Sequence, residues 1–242
     1  MSDRDAPIVI LTGAGISAES GLATFRGAGG LWEGHAVQDV ATPEAFARDP
    51  VLVQRFYNAR RRQLRDEAIA PNPAHRALAR LEAAWPGPVT LVTQNVDNLH
   101  ERAGHRRVIH MHGALDRVLC QRCGMESAWQ DDVEATSRCP ACDTAGKLRP
   151  AVVWFGEIPR HMDEIARALG EAALFVAIGT SGVVYPAAGF VAEARAHGAH
   201  TMELNLEPSS VRSAFAEARH GPASELVPAW VDELLGADPA CG

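Results

Sequence analysis

The stretch Ile8-Val-Ile-Leu-Thr-Gly-Ala-Gly-Ile-Ser-Ala-Glu-Ser-Gly21 decides the fold of this chain of 242 residues. Its apolar residues suit a buried strand, and they lead into a glycine turn and then into residues that can begin a helix. Glycines let a backbone approach a pyrophosphate closely, and the N–H groups and dipole of a helix favour its negative charge. The spacing of Gly13, Gly15 and Ala18 fits the fingerprint G-x-G-x-x-G/A and predicts a dinucleotide site. A tight strand-to-helix turn without a ligand is the alternative, because a single match of this kind is weak evidence.

The residues after this turn depart from the usual dinucleotide-binding pattern. That pattern continues to a second strand, which ends in a ribose-binding Asp or Glu about 20 residues on. Here the chain enters a glycine-rich stretch at residues 27–34, which we interpret as a flexible loop. Phe25 and Arg26 lie beside it, where a ring can cover a reactive centre and a guanidinium can hold phosphate. We therefore predict a bound ligand that a loop covers.

The composition indicates a soluble globular protein, since 47% of the residues are hydrophobic and 22% are charged. A formal net charge of −7 argues against a general nucleic-acid binder, which would carry a basic surface. The first residues lack the apolar core of a signal peptide, and no run approaches the roughly 18 apolar residues of a membrane span. We expect a cytoplasmic enzyme without nucleic-acid or membrane partners.

Four of the five cysteines form the pattern Cys120-x2-Cys123-x15-Cys139-x2-Cys142. Two C-x-x-C pairs at this separation predict a zinc ribbon with four thiolate ligands. Two disulfides or unlinked buried thiols are the alternatives, and neither explains the paired spacing in a reducing cytosol. Because four thiolates leave no position for water or substrate, one Zn²⁺ in this site would be structural. Cys241 is interpreted as a free thiol.

Strand-like and helix-like segments alternate along the chain. Apolar runs typical of strands lie at residues 8–12, 89–93, 108–111, 151–154, 174–178 and 201–206, and helical patterns lie at residues 74–85, 162–172, 187–197 and 229–235. Several apolar runs are continuous, as expected of strands that are buried on both faces of a parallel sheet. Asn72-Pro73 predicts the start of the first helix, whose Leu78 and Leu81 should face inward. The pattern predicts an α/β fold with a doubly wound, Rossmann-like parallel sheet.

Two segments interrupt this alternation, and we predict them to be inserts. The cysteine-bearing residues 116–147 form a zinc-ribbon insert, and residues 31–69 form a cofactor loop and a helical insert. The dinucleotide-binding domain then comprises residues 1–30, 70–115 and 148–242.

Polar residues follow three of the predicted strands. They are found at residues 94–98, 179–182 and 205–207. Each group on its own fits an ordinary capped turn. Because ligands gather at the carboxyl ends of parallel strands, their coincidence with the glycine turn favours one shared binding site.

In combination, these motifs resemble those of the sirtuins, which are NAD-dependent protein-lysine deacylases. The matching segments are residues 13–21, 25–26, 93–100, 110–113 and 179–181, together with the four cysteines. The resemblance implies that NAD is consumed as a co-substrate and is not used for hydride transfer. Nicotinamide leaves the ribose C1′ while the acyl-lysine carbonyl oxygen attacks it. The products are free lysine, nicotinamide and 2′-O-acyl-ADP-ribose.

The resemblance also assigns roles at the dinucleotide site. His112 matches the general base that acts on the ribose hydroxyls, and an ordinary pKa near 6.5 suits that task. His110 would point to the opposite side of a strand, so only one of the two histidines can face the site. Asn95, the second predicted catalytic residue, and Asp97 match positions that hold the nicotinamide ribose and carboxamide. The other predicted NAD-binding residues are Gly13, Ala14, Gly15, Ser17, Phe25, Arg26, Trp32, Gln94, Gly179, Thr180, Ser181, Asn205, Glu207 and Ala223, of which Asn205 and Glu207 would take the adenosine ribose in place of the missing acid.

The resemblance further implies a protein substrate. The acylated peptide would add as a strand between residues 152–157 and 182–185. Its predicted contacts are Val152, Phe155, Gly156 and Glu157.

The acyl group is indicated by Tyr57 and Arg60, which are three residues apart and so share one face of a helix. They match the Y-x-x-R pair of sirtuins that remove negatively charged acyl groups, in which the Arg holds the distal carboxylate with the help of the Tyr hydroxyl. Ala41 matches a small residue that widens the pocket. A solvated basic helix face is the alternative, because Arg61, Arg62 and Arg65 lie nearby. We predict a monomer that removes acetyl groups as well as succinyl or malonyl groups.

Other functions remain as alternatives. Mono-ADP-ribosyl transfer to protein is the second hypothesis, because some relatives perform it. A non-catalytic NAD-binding module would not require Asn95, Asp97 and His112 together. A zinc-ribbon nucleic-acid binder would require a basic, aromatic surface around the cysteines.

Overall fold

The central feature of the computed structural model is a six-stranded parallel sheet. The structure describes residues 5–22, 31–32 and 35–236, and it describes residues 31 and 32 by their backbone alone. The strands are β1 (Ile8–Thr12), β2 (Leu31–Trp32), β3 (His35–Ala36), β4 (Val89–Thr93), β5 (Val108–His110), β6 (Gly113–Cys120), β7 (Glu126–Ala128), β8 (Leu148–Val152), β9 (Leu174–Ile178), β10 (His200–Asn205) and β11 (Glu217–His220). The helices are α1 (Ala14–Ala18), α2 (Val37–Val40), α3 (Pro43–Arg48), α4 (Pro50–Leu64), α5 (Pro73–Ala84), α6 (Leu99–Arg102), α7 (Met162–Glu171), α8 (Phe190–Ala196) and α9 (Ala223–Leu235), with 3-10 turns at Ala187–Gly189 and Arg212–Ala214.

The strand order of the large sheet is β11-β10-β9-β1-β4-β5, and every neighbouring pair is parallel. The chain winds outward in one direction from β1 to β4 and β5 and in the other direction from β9 to β11. The direction reverses between β1 and β9, and ligands of such sheets bind outside the carboxyl ends of the strands at that point. The predicted doubly wound α/β fold is confirmed.

Strand β1 is buried along its whole length because helices cover both faces of the sheet. Val9 and Leu11 pack in one core with residues of α7 and α8. Ile8 and Ile10 pack in the opposite core with residues of α5 and α9. Since successive side chains of a strand point to opposite faces, both alternating sets must be apolar. This arrangement accounts for the continuous apolar run in the sequence.

Helix α5 begins where the sequence predicts it. The Asn72 side chain accepts hydrogen bonds from the backbone N–H groups of Ala74 and His75. In return, the His75 side chain accepts a hydrogen bond from the Asn72 N–H. This capping box satisfies N–H groups that have no partner within the helix. Leu78 and Leu81 are fully buried, as expected.

Residues 113–152 contain a second, antiparallel sheet of order β7-β6-β8, and we call them the cysteine module. Helices α2, α3 and α4 pack beside this module in a separate apolar cluster, which includes Val53, Phe56, Leu115 and Val152. In the part of the chain that the structure describes, no helix is long and apolar enough to cross a bilayer.

Strands β8 and β11 differ from the sequence-based expectation. The apolar run at residues 151–154 suggested a strand of the parallel sheet, but β8 pairs antiparallel with β6 in the cysteine module. This segment is apolar because it is buried, but it is buried in the cysteine module and not in the parallel sheet. Strand β11 was not predicted, because its sequence Glu-Ala-Arg-His is polar and half-exposed at the edge of the sheet.

Candidate active site

A cavity of about 1000 Å³ opens at the carboxyl ends of β1, β4, β9 and β10. This volume lies at the upper end of the range of ligand pockets, about 300–1,000 Å³, and suits a ligand as large as a dinucleotide. The predicted NAD-binding and catalytic residues that line it are Gly13, Ala14, Gly15, Ser17, Gln94, Asn95, Asp97, His112, Gly179, Thr180, Ser181, Asn205, Glu207 and Ala223. The predicted substrate residues that line it are Ala41, Tyr57, Arg60, Val152, Phe155, Gly156 and Glu157. The predictions for Phe25, Arg26, Cys241 and the side chain of Trp32 lie outside the described residues.

Three glycines bring the loops after β1 and β9 into contact. A Cβ on Gly13 would lie 2.7 Å from the carbonyl oxygen of Gly179, and a Cβ on Gly15 would lie 2.7 Å from the Cα of Gly179. The Gly15 N–H donates to the Gly179 carbonyl at 2.9 Å. Gly179 has a φ of +63°, which L side chains rarely adopt. From the sequence we predict that these glycines allow a ligand to approach closely. The close contacts in the structure are instead between the two loops.

Behind the glycine turn, a buried polar cluster joins the end of β4 to α1. Asn95 donates from Nδ2 to the Gly13 carbonyl and to Ser17 Oγ, both at 3.1 Å. Ser17 Oγ in turn donates to Asp97 Oδ2 at 3.0 Å, and the Leu99 N–H donates to Asp97 Oδ1. Burial raises the pKa of Asp97 above its ordinary value. These bonds fix the orientation of the amide and the carboxyl at the cavity wall.

His112 is held in one tautomer by the chain segment beside it. Its Nδ1 lies 3.0 Å from the carbonyl oxygen of Gln94. Because a carbonyl only accepts, Nδ1 carries the proton, and Nε2 of the neutral ring keeps its lone pair. Burial lowers the pKa of His112 below 6.5, although the bond to Gln94 opposes this effect. The ring is therefore neutral at pH 7 and can accept a proton at Nε2.

His110 occupies a different environment, and it does not appear among the residues that line the cavity. Its Nδ1 lies 3.2 Å from the Asn95 carbonyl, and its Nε2 lies 2.6 Å from Glu101 Oε1. Burial is the largest single effect on His110 and lowers its pKa. The hydrogen bond and charge of Glu101, together with the Asn95 carbonyl and the charge of Asp97, oppose burial, and the net pKa is raised. His110 thus supports the loop after β4, as expected if only one histidine of the pair faces the site.

At the other end of the cavity, β10 and α9 supply the wall. Asn205 ends β10 and donates from Nδ2 to the Thr180 carbonyl at 2.7 Å. Glu207 follows it in an exposed loop. Ala223 is the first residue of α9, so backbone N–H groups at the start of that helix lie beside the cavity.

Helix α4 brings Tyr57 and Arg60 to the cavity one turn apart. Tyr57 is only 1% exposed, and its hydroxyl accepts a hydrogen bond of 2.9 Å from Trp154 Nε1. The Arg60 guanidinium lies over the Phe56 ring at 4.9 Å. Ala41 is buried, and its carbonyl accepts from the Phe155 N–H.

The alternative of a solvated basic face on α4 does not hold for Arg61. This side chain is 2% exposed and donates to the carbonyls of Leu115 and Asp131 and to Asn58 Oδ1. Burial lowers its pKa to about 10. Arg62 and Arg65 do lie on the surface, where they pair with Asp132 and Asp131.

The four paired cysteines form a cluster away from the cavity, in the cysteine module. Their sulfur atoms all lie within 4.8 Å of one another, with Sγ–Sγ distances of 3.8 Å for Cys120–Cys142 and 3.7 Å for Cys123–Cys139. A tetrahedral site with Zn–S bonds of about 2.3 Å has sulfur–sulfur edges of about 3.8 Å. Disulfides, with S–S bonds of about 2.05 Å, are excluded for these pairs. The donor set therefore fits one structural Zn²⁺.

Comparison with known proteins identifies the family of this chain. The family model described as Sir2 family matches residues 13–186 of the chain. The chain belongs to the Sir2 family. A curated Sir2 relative, the NAD-dependent protein deacylase of Salmonella typhimurium (strain LT2), is 61% identical over 228 residues, which cover 94% of this chain and 84% of the relative.

Solved Sir2 structures share the fold over almost the whole chain. A Sir2 homolog–NAD complex is 36% identical, has a TM-score of 0.86 and covers 97% of this chain and 91% of its own. A Sir2–p53 peptide–NAD⁺ complex is 29% identical, has a TM-score of 0.77 and covers 96% of this chain and 94% of its own.

Arg149 and Trp154 support the cavity wall at residues 154–157, and neither is among the site residues that we predict from the sequence of this Sir2 chain. The Arg149 guanidinium binds both carboxylate oxygens of Glu157, at 2.6 and 2.9 Å, and lies 3.6 Å from the centre of the Trp154 ring. The Trp154 N–H also donates to Glu157, at 2.8 Å. The sequence does contain one indication of this role, which is the charged Arg149 within the buried run Leu148–Val152. A buried guanidinium needs a partner, so its presence there points to a nearby acceptor.

Proposed function

We propose that this chain removes acyl groups from protein lysines and consumes NAD, yielding nicotinamide and 2′-O-acyl-ADP-ribose. The observation that carries the proposal is the neutral His112, held with Nε2 as the basic nitrogen in the same cavity as the glycine turn. The curated Sir2 relative is named for NAD-dependent deacylation of protein. Mono-ADP-ribosyl transfer is not favoured, since no contact in the described site supports it over deacylation.

The chain's residues fit NAD. The backbone of the loops at Gly13 and Gly179 would meet the phosphates, and the start of α9 at Ala223 would meet the adenine end. Asn205 and Glu207 would hold the adenosine ribose. Asn95 and Asp97 would hold the nicotinamide ribose and carboxamide, oriented by their bonds to Ser17. When bound, NAD supplies an electrophilic ribose carbon once nicotinamide departs.

His112 then acts as the base. Nε2 takes a proton from a ribose hydroxyl, while the Nδ1 proton stays bonded to the Gln94 carbonyl and stabilises the imidazolium that forms. Burial of the ring opposes premature protonation from solvent, because it disfavours the charged form. Asn95 serves this step by fixing the position of the ribose.

The substrate side of the cavity suits an acylated lysine. We propose that the peptide adds as a strand beside residues 152–157 and that Phe155 and Gly156 contact it. Both carboxylate oxygens of Glu157 are engaged by Arg149 and by the Trp154 N–H, so we assign Glu157 to shaping this segment.

We propose that Arg60 and Tyr57 receive the carboxylate of a succinyl or malonyl group, with Ala41 leaving room beside them. A guanidinium binds a carboxylate through two parallel hydrogen bonds, and a phenol adds a third. Acetyl-lysine lacks this carboxylate, and it would enter the same cavity without using the pair.

The four cysteines would hold one Zn²⁺ that stabilises the cysteine module, since a site closed by four thiolates offers no position to substrate. Four reduced cysteines suit a reducing compartment, and we propose a monomeric enzyme of the cytoplasm.

The proposal is tested by incubating acetylated and succinylated peptides with and without NAD and following the products by mass spectrometry. Free lysine, nicotinamide and 2′-O-acyl-ADP-ribose should appear only with NAD. His112→Ala should abolish the reaction. His197→Ala, which changes an exposed histidine after α8, is the matched control and should retain full activity. Deacylation without NAD, or full activity of His112→Ala, would contradict the mechanism.

A further inference from the structure

Trp154 lies between the peptide-side segment of the cavity and the acyl-side helix α4. It lines the cavity although only 2% of its surface is exposed. Its indole Nε1 donates to the Tyr57 hydroxyl at 2.9 Å, and its ring packs against Phe46 with centroids 5.2 Å apart. Trp154 follows β8, and Tyr57 lies in α4, so this hydrogen bond joins two separate elements.

The direction of this hydrogen bond is fixed by chemistry. An indole N–H can only donate, so the Tyr57 oxygen must accept. The phenol's own hydrogen is therefore directed to a different acceptor. Burial raises the pKa of Tyr57, so the phenol keeps that hydrogen at neutral pH. Tyr57 is thereby a hydrogen-bond donor whose orientation is set by Trp154.

The Trp154 ring has further contacts besides its bond to Tyr57. The Arg149 guanidinium stacks 3.6 Å from the ring centre, and Glu157 binds both Arg149 and the Trp154 backbone N–H. Cation–π contact is stronger where water is excluded, and both Arg149 and Trp154 are buried here. The ring therefore has little freedom to move away from Tyr57.

We propose that Trp154 is a positioning residue for acyl selectivity, which aims the Tyr57 hydroxyl at the carboxylate of a succinyl or malonyl group. This inference rests on the proposed function, because it requires Tyr57 and Arg60 to bind that carboxylate. An acetyl group offers no carboxylate, so its removal does not depend on the Trp154–Tyr57 bond. Trp154 therefore affects selectivity through its hydrogen bond to Tyr57, without binding the carboxylate itself.

Trp154→Phe tests the proposal, because it keeps an aromatic face for Arg149 and removes the N–H donor. We expect KM for a succinylated peptide to rise about five- to tenfold, the range of one lost hydrogen bond, with kcat nearly unchanged. The ratio of this KM to the KM for the matching acetylated peptide should rise by about the same factor, because any effect of Trp154 on the binding of the peptide itself is shared by both substrates. An equal rise for both peptides would mean that Trp154 only supports the fold, and the proposal would be overturned.

A double-mutant cycle with Tyr57→Phe separates this inference from the proposed function. Trp154→Phe should have no further effect on desuccinylation once the Tyr57 hydroxyl is absent. If Tyr57→Phe itself leaves desuccinylation unchanged, the carboxylate pocket is wrong. If Tyr57→Phe impairs desuccinylation and Trp154→Phe does not, the pocket stands and the positioning role falls.

The same cycle can be run with a shape-preserving side chain if Trp154→Phe fails to fold. Benzothienylalanine at position 154 has the outline of tryptophan and carries sulfur in place of the N–H. It should reproduce the selective rise in KM for the succinylated peptide. Wild-type KM for both peptides would overturn the proposal.

Discussion

Asn58→Ala should remove a buried connection between helix α4 and the cysteine module. Asn58 donates from Nδ2 to the Val133 carbonyl at 3.0 Å, and its Oδ1 accepts from the Val133 N–H at 2.8 Å and from Arg61 at 2.8 Å. Asn58 and Val133 are both buried. An alanine leaves the Val133 N–H and C=O without these partners, and each buried unsatisfied group costs about 1–3 kcal/mol. We therefore expect the free energy of unfolding to fall by about 2–5 kcal/mol.

Arg62→Ala is the matched control for this prediction. Arg62 lies on the same helix and pairs with Asp132, next to Val133, but its side chain is 51% exposed. An exposed ion pair contributes about 0–1 kcal/mol, so this variant should lose little stability. Urea unfolding followed by far-UV circular dichroism compares the two variants with the wild type. An equal loss in both variants, or a loss below about 0.5 kcal/mol in Asn58→Ala, would refute the reasoning.

Four further predictions concern the base, the acyl pocket, the metal and acid stability. Because burial lowers the pKa of His112 and the neutral ring is the active form, kcat/KM should fall only as pH drops below 6.5; an acid limb centred above pH 7 would contradict this assignment. Arg60→Met should lower kcat/KM for a succinylated peptide by about 10- to 100-fold and spare an acetylated one; equal losses for the two peptides would argue against a carboxylate contact. Protein purified without chelator should contain one zinc per chain by metal analysis, and its removal should lower the melting temperature; metal-free protein with an unchanged melting temperature would exclude a structural zinc. His75 is fully buried, and burial, with His105 and Arg76 adding to it, lowers its pKa to about 4. As the pH falls, His75 is therefore protonated near pH 6.5 in the unfolded chain but only near pH 4 in the folded chain. The free energy of unfolding should fall by roughly 3 kcal/mol between pH 6.5 and 4, and His75→Asn should reduce that fall. Identical pH dependence of unfolding in wild type and variant would rule His75 out as the cause.

The position of the cavity could be predicted from sequence because parallel strands bring their carboxyl ends together. Gly13, Asn95 and Asn205 are far apart in the chain, yet each lies at the carboxyl end of a strand of the same sheet and each lines the cavity. Polar residues that directly follow apolar runs are therefore informative, whatever their separation. The cysteine spacing is informative for a similar reason, since two short turns each supply a pair of ligands.

The identity of the strand partners could not be predicted in the same way. Leu148–Val152 is buried over its full length, as is β1, but it pairs with β6 outside the parallel sheet. An apolar run indicates that a segment is buried, but it does not indicate which segment lies beside it. Arg149 and Arg61 illustrate the same limit, because a buried arginine is recognised only when its partners are known, and these include backbone carbonyls, which any residue type supplies.

The two histidines of the segment His110-Met-His112 show why the base could not be chosen from residue type alone. Each ring places Nδ1 against a backbone carbonyl of neighbouring residues, His110 against Asn95 and His112 against Gln94. The difference lies at the other nitrogen, where Glu101 meets Nε2 of His110 and raises its pKa. His112 instead lines the cavity, and burial lowers its pKa. The Glu101 carboxylate therefore distinguishes a histidine that supports a loop from one that lines the cavity and can act as a base.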